Sequence, residues 1–306
     1  MIFEQVIIIR SKTFLEELIQ RFNSKNQAQF YLESTGQNFK DLVKDHHTFY
    51  YSLKQLKELF QQKIKYKVID RDFLPNYIFT EKDLIIGIGQ DGLIANIAKY
   101  VNGQPIVGFN PNPKIYDGVL LPFQKLSSKQ LVRILNGEFN SKKVVMAQAL
   151  FNDEQKLLAF NDFFIGPKSH TSARYSIHFE GKNEIQSSSG IIISTGAGAT
   201  GWMSSILNMI NGVGHSSFKV NLDPEKRKLF FIVREPFKSK TSEIEICSGE
   251  ITDENKLIIE SNMVENGMIF SDGIEADFIP FNVGSKVEIS IANEYATLVN
   301  NKKAPF

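Results

Sequence analysis

The chain has 306 residues, 42% hydrophobic and 23% charged, a composition that can bury a core and fill one large domain or two ordinary ones. A formal charge of +1 argues against a broad nucleic-acid-binding face, and the single cysteine excludes an intramolecular disulfide. No apolar run approaches the ~18 residues that cross a bilayer, so no membrane partner is expected. The first residues enter an apolar strand without a signal or transit pattern, which makes a reduced cytoplasm the expected compartment.

In chain order, the pattern predicts a strand over 5–10 and then a helix capped by Ser11, with Phe14, Leu15, Leu18, Ile19 and Phe22 on one face. A longer helix follows Gly36, with apolar positions from Phe39 to Phe60 on a single stripe. His46 and His47 fall within it and lack a second ligand pair, so they are read as packed or solvated. Strands are expected at 66–69, 84–88 and 106–109, with a helix from Gly92 to about Tyr100 between the last two. Strands separated by helices predict an α/β domain with a Rossmann-like parallel sheet.

Near Leu121-Pro122 the character changes. One helix is expected over 128–135, then strands at 144–151, 157–165, 174–179, 191–194, 229–233, 243–247, 256–259 and 287–291. A helix over 200–210 interrupts them, and Cys247 alternates with its neighbours like a core thiol. The expected organisation is an α/β domain over 1–122 and a β-rich domain over 123–306, whose last strand can pack back on the first. A cleft between the two is the expected place for a site.

Four stretches carry chemistry. "GIGQDG" (87–92) lies between an apolar strand and a helix and fits G-x-G-x-x-G. It departs from a dinucleotide fingerprint in three respects: the loop follows the third or fourth strand rather than the first, Asp91 would repel a pyrophosphate, and the strand about 20 residues on ends in Asn110 rather than an acid. Backbone amides plus one carboxylate suit phosphoryl transfer better, the carboxylate taking a proton from an attacking hydroxyl or holding a metal. The alternative is a tight turn with a solvated Asp91. "FNDFFIG" (160–166) places Asn161 and Asp162 in an apolar strand, where polar groups need partners, unless they mark a turn or bulge. "STGAGATGWMSS" (194–205) follows a buried strand and offers Thr195, Thr200, Trp202 and glycines that permit close backbone approach. Thr200→Val with Gly198→Ala is expected to weaken binding more than folding, a methyl at Gly198 blocking backbone approach and leaving the melting temperature nearly unchanged. "FSDGIEADF" (270–278) sets Asp272-Gly273 between strands, which is also a hairpin signal.

In this order the stretches "GQDGL", "FNDFF", "TGAGATGW" and "FSDGIEAD" resemble the NAD kinase family, over roughly residues 84–290. "GFNPNPKIYDGVLLPF" (108–123) is similar to the segment after the first loop in the mitochondrial-type branch of that family. The resemblance implies an α/β domain, a β-rich domain and phosphorylation of the adenosine-ribose 2′-hydroxyl of NAD by ATP, with Mg²⁺ offsetting phosphate charge. It implies Asp91 as the base, with Gly89 and Gly92 flanking it. Asn161 and Asp162 would hold the ribose and amide parts of NAD. Thr195, Gly198, Thr200 and Trp202 would enclose the adenosine, and Asp272 and Gly273 match the late Asp-Gly.

The chain departs from the family where Gln90 replaces a glycine, Leu93 a threonine and Trp202 a tyrosine. Asp162 is shorter than the usual glutamate, and Ala197 and Ala199 lack hydroxyls. A related lipid or sugar kinase and a nucleotide-binding sensor without turnover are the rival readings. Small-molecule nucleotides, no nucleic acid, and a homo-oligomer (dimer or tetramer) are the partners the resemblance implies.

Overall fold

A computed structural model describes residues 2–61, 63–215 and 217–301. The chain divides into two compact units, one of Met1–Lys142 with Thr297–Phe306 and one of Lys143–Ala296. The division falls beyond Pro122 because Phe123, Leu131, Ile134 and Leu135 belong to the first unit's core.

In the first unit, β1 (Gln5–Arg10), β2 (Lys65–Asp70), β3 (Asp83–Ile88) and β4 (Pro105–Phe109) form parallel pairs in the order β2-β1-β3-β4. The central strands are apolar on both faces, as a sheet covered by helices requires. Helices α1 (Phe14–Phe22), α2 (Lys25–Ser34), α3 (Phe39–Phe60), α4 (Asp91–Ala98) and α5 (Ser128–Leu135) complete it. The cap of α1 is Thr13, not Ser11, because Thr13 and Glu16 close a reciprocal capping box two residues later. Helix α2 is absent from the expectations: its mixed polar sequence has little apolar periodicity, and it is started by Ser24 and held by Ala28 and Leu32 against α1 and α3. His46 bonds Thr13 Oγ1 through Nδ1 at 2.8 Å and packs on Tyr50, as a packed histidine.

The second unit is almost entirely antiparallel. Its strands are β5 (Ser141–Phe151), β6 (Lys156–Ala159), β7 (Asp162–Pro167), β8 (Ala173–Phe179), β9 (Lys182–Ser188) and β10 (Ile191–Ser194). After α6 (Trp202–Gly214) come β11 (Leu229–Val233), β12 (Ser248–Ile251), β13 (Leu257–Ser261), β14 (Gly267–Ser271), β15 (Ile274–Pro280) and β16 (Lys286–Val299). One six-stranded sheet runs β12-β11-β10-β7-β14-β15, and β16-β13-β8-β9 are paired in a second. Alternate residues of both pack into one core that includes Phe163, Tyr175, Phe231 and Phe281. At its end β16 passes into the first unit, where Thr297 and Leu298 pair in parallel with β4.

Two strand expectations change. The run 157–165 is two strands, β6 and β7, broken at Phe160-Asn161 because the amides there bond a side chain instead of a neighbouring strand. Residues 243–247 are not a strand although they alternate. The buried Glu184 carboxylate accepts the amides of Glu245 (3.1 Å) and Ile246 (2.7 Å), taking the place of a strand partner. Cys247 is half-buried there, its thiol donating to the Ile244 carbonyl and pushed up in pKa by burial.

Candidate functional site

In an open parallel sheet, ligands gather outside the carboxyl ends of the strands. At the ends of β1 and β2, Arg10 pairs with Asp70 (2.6 Å) and Glu16 (2.9 Å). At the end of β3 the chain enters α4 without a side-chain cap, and Asp91 is the first helical residue. Asp91 is half-buried, and its Oδ1 accepts the Leu120 amide at 2.7 Å. Its Oδ2 has no hydrogen-bond partner among the described residues, so one oxygen is held while the other can accept from outside.

Leu120 is placed by the segment 108–123. Buried Asn110 donates to the Tyr116 carbonyl and accepts from the Asn112 amide, which folds the segment back on itself. Gly108 is obligatory in that fold, since a Cβ there would lie 1.9 Å from the Leu120 carbonyl oxygen. The two glycines beside Asp91 differ. The Gly89 amide donates to the Phe109 carbonyl, so this glycine serves the protein itself. Gly92 is exposed, has nothing within 4 Å of a built Cβ and no left-handed φ. No described residue demands glycine at position 92, so the bare backbone at this helix start is open to an approaching anion.

In the second unit the other three stretches come together. Asp272 (φ 56°) and Gly273 (φ 69°) form the left-handed turn between β14 and β15, as the hairpin signal required. The same Asp272 side chain accepts three consecutive amides: Phe160 at 3.1 Å, Asn161 at 2.5 Å and Asp162 at 3.3 Å. The Asp272 amide returns a bond to the Asp162 carbonyl at 3.0 Å. Thr195 is fully buried and used internally. Its hydroxyl donates to the Phe160 carbonyl at 2.6 Å and accepts from the amides of Ala197 and Gly198. Its own amide bonds the Asn161 carbonyl at 2.8 Å. Thr195 and Asp272 thus hold the 160–162 backbone from two sides, and Phe160, which nothing in the sequence marks, is a common point of both.

The side chains that this frame presents are Asn161 and Asp162. Neither has a side-chain hydrogen bond among the described residues, although Asp162 is only 7% exposed. A buried carboxyl without a partner is costly unless a ligand or a proton supplies one. Burial, with Asp272 close by, pushes the Asp162 carboxyl up to about 7. In the unfolded chain it ionises near 4. Between about pH 4 and 7 the folded state keeps a proton that the unfolded state has lost, so stability falls with rising pH through that window and is level above it. Asp162→Asn is expected to raise stability by about 2 kcal/mol at pH 8, within the ~4 kcal/mol that three pK units allow. It should change little at pH 4. Denaturant melts of both proteins at the two pH values measure the difference, and an equal gain at both would deny the buried, protonated carboxyl.

Gly198 does not leave room for a ligand. A Cβ on it would sit 2.1 Å from the Asn161 carbonyl oxygen, so the expectation that a methyl there spares the fold is overturned. Gly198→Ala forces backbone apart and should cost about 1–3 kcal/mol. Its thermal midpoint should fall by several degrees even without nucleotide, which calorimetry reads directly. Thr200 is exposed at the end of a short 3-10 turn, free to meet solvent or ligand. Trp202 starts α6 and stacks on Phe164, ring centroids 5.7 Å apart, so one aromatic contact is already made inside the protein. Among the described residues no group of three or more His, Cys, Asp or Glu could hold a metal ion.

No family model matches the chain. It is 24% identical over 162 residues to an NAD kinase of Saccharolobus solfataricus, an overlap of 52% of this chain and 58% of that one. It is 23% identical over 150 residues to an NAD kinase of Saccharolobus islandicus, covering 48% and 54%. The matched part therefore spans little more than half the length of these curated relatives. Among solved structures, an NAD kinase from Archaeoglobus fulgidus in complex with ATP aligns with TM-score 0.58 and 13% identity, over 98% of this chain and 94% of that one. A yeast NADH kinase complexed with NADH aligns with TM-score 0.58 and 14% identity, over 98% and 84%. Both likenesses show the fold.

Proposed function

We propose, for a chain with the fold of NAD kinases and sequence similarity to them, that it transfers the γ-phosphoryl group of ATP to the adenosine-ribose 2′-hydroxyl of NAD. The observation that carries this reading is Asp91, a carboxylate oriented by the Leu120 amide at the bare helix start beside Gly92. The amides and dipole of a helix start favour a phosphate, and a carboxylate oxygen free to accept is what an attacking hydroxyl needs.

In this reading Asp91 takes the 2′-hydroxyl proton as the new O–P bond forms and the β–γ bridging bond breaks, releasing ADP. Asn161 and Asp162 are donor and acceptor for the dinucleotide, with Thr200 and Trp202 beside its adenosine. Thr195, Gly198 and Asp272 act through the backbone that they fix. Fixing reactants in this way can supply several kcal/mol by removing translational and rotational freedom before reaction. Mg²⁺ enters with the triphosphate as part of the substrate, since such sites bind it through phosphates and one or two carboxylates rather than a protein cage. The setting proposed is a cytoplasmic homo-oligomer with nucleotides as its only partners.

The test is purified protein with ATP, Mg²⁺ and NAD, with NADP read by an NADP-specific dehydrogenase. ATP-dependent NADP is the expected result. Nucleotide binding without NADP would favour a sensor. Phosphorylation of a lipid or sugar instead of NAD would favour the related kinases.

A further inference from the structure

The free border of the first unit's sheet is β2, which pairs only with β1 among the described residues. Alternate peptide groups along β2 therefore face away from β1 without a strand partner. A short 3-10 turn, Arg71–Asn76, follows β2 and packs against α4, the helix that begins at Asp91. At this turn lies a cavity of about 470 Å³, lined by residues 67–70 of β2, Phe73, Tyr77 and Arg10. That volume lies within the ~300–1,000 Å³ of small-molecule sites.

The charges in the lining are already engaged. Arg10 and Asp70 pair with each other at 2.6 Å. Lys67 is exposed to solvent, and its ammonium stands 4.8 Å from the centre of the Tyr77 ring. Tyr77 also meets Phe79, ring centroids 4.7 Å apart, so it is a fixed wall. Phe73 differs from both. It is 60% exposed and has no ring contact among the described residues, which leaves a flat aromatic face open at the cavity. An unoccupied ring beside unpaired peptide groups suits a neutral heteroaromatic body, which can stack on the one and hydrogen-bond to the other.

The place of the cavity says what such a body belongs to. Strand β2 lies two strands from β3, about 10 Å at the usual strand spacing, and β3 leads into the open helix start at Gly92. An extended ribose and triphosphate cover that span. Just past the end of β1, the strand between them, Lys12 pairs with the exposed Asp72, a weak partner that a phosphate can replace. We propose that the cavity between the free border of β2 and Phe73 holds the base of the phosphoryl donor, which makes that donor a nucleoside triphosphate rather than an inorganic polyphosphate. The assignment rests on the phosphoryl-transfer reading above, and one arm of its test needs no turnover.

The first arm compares ATP with inorganic tripolyphosphate, which lacks a base, at saturating NAD and Mg²⁺. Tripolyphosphate should be the poorer phosphoryl donor by at least about 10-fold in kcat/KM. Phe73→Ala should lower kcat/KM for ATP by about 5- to 150-fold, mostly through KM, the loss of one base–aromatic stack. KM for NAD and the thermal midpoint should stay near wild type, because Phe73 is exposed and far from tightly packed. Phe73→Tyr keeps the ring and should behave like wild type. The second arm titrates ADP by calorimetry with NAD at saturation. One ADP should bind per chain, more weakly in Phe73→Ala by the same factor. Equal use of the two donors by the wild type overturns the proposal, as does an alanine variant with unchanged ATP kinetics and ADP affinity. A rise in KM for NAD alongside that for ATP overturns it too, since it would set Phe73 against the dinucleotide. If no donor yields NADP, the phosphoryl-transfer reading fails by itself, and the ADP titration still decides whether Phe73 holds a base.

Discussion

Asp91→Asn should lower kcat for NADP formation by about 10²- to 10⁴-fold, the usual contribution of a positioned general base. The substitution keeps an oxygen that can accept the Leu120 amide, so the helix start and the 108–123 segment retain their shape. NAD affinity and the thermal midpoint should therefore stay near wild type. Steady-state kinetics with calorimetric NAD binding separate these quantities. A large loss of affinity with kcat intact would make Asp91 a binding or purely structural acceptor. Near wild-type turnover would end the proposed mechanism.

Asp272→Ala should have the largest effect on the protein itself. It strips the acceptor from the amides of Phe160, Asn161 and Asp162 and puts alanine at φ 56°. An unsatisfied buried amide costs about 1–3 kcal/mol, and the left-handed backbone about 1–2 kcal/mol more for alanine. Because Asn161 is half-exposed and water can reach part of this loop, a total of about 3–5 kcal/mol is expected. NAD binding should be lost along with it. Asp272→Asn is the informative partner. Asparagine tolerates the turn and keeps one acceptor, so most of the stability should return. It also removes the charge beside Asp162, whose pH window should move to lower pH. If the alanine variant melts like wild type, the Asp272 bonds are not what holds the loop.

Much of this architecture could be read from local signals. The β1, β3, β4, β10 and β11 runs are short, apolar and bounded by turn residues, and each was found within a residue or so of its expected limits. Residues 128–135 carried both a capping box and a clean stripe. The failures have one physical origin. Helix α2 is held by tertiary packing of two small apolar contacts, which leaves little trace in periodicity. Residues 243–247 alternate like a strand, but the deciding partner is a carboxylate about sixty residues away in sequence.

The candidate site shows the same division. Residue types announced Asp91, Asn161, Asp162 and Asp272, because polar groups amid apolar runs stand out. How the work is divided among them was not legible. Thr195 and Gly198 were expected at the ligand and are occupied with the protein's own backbone, whereas Leu120 and Phe160 contribute through peptide groups that any residue could supply.

The carboxylate of Glu184 has a consequence for how molecules of this chain behave toward each other. The run Glu243-Ile244-Glu245-Ile246-Cys247 leads into β12, the outermost strand of its sheet. Alternating residues with free peptide groups at a sheet border form a template on which a strand from another molecule can grow. Glu184 occupies two successive amides of that template, and the Cys247 carbonyl is taken by the Val233 amide. A buried side chain that holds those amides takes them out of reach of a neighbouring strand. The same bond that shapes a loop leaves two fewer amides for a strand from another molecule to pair with.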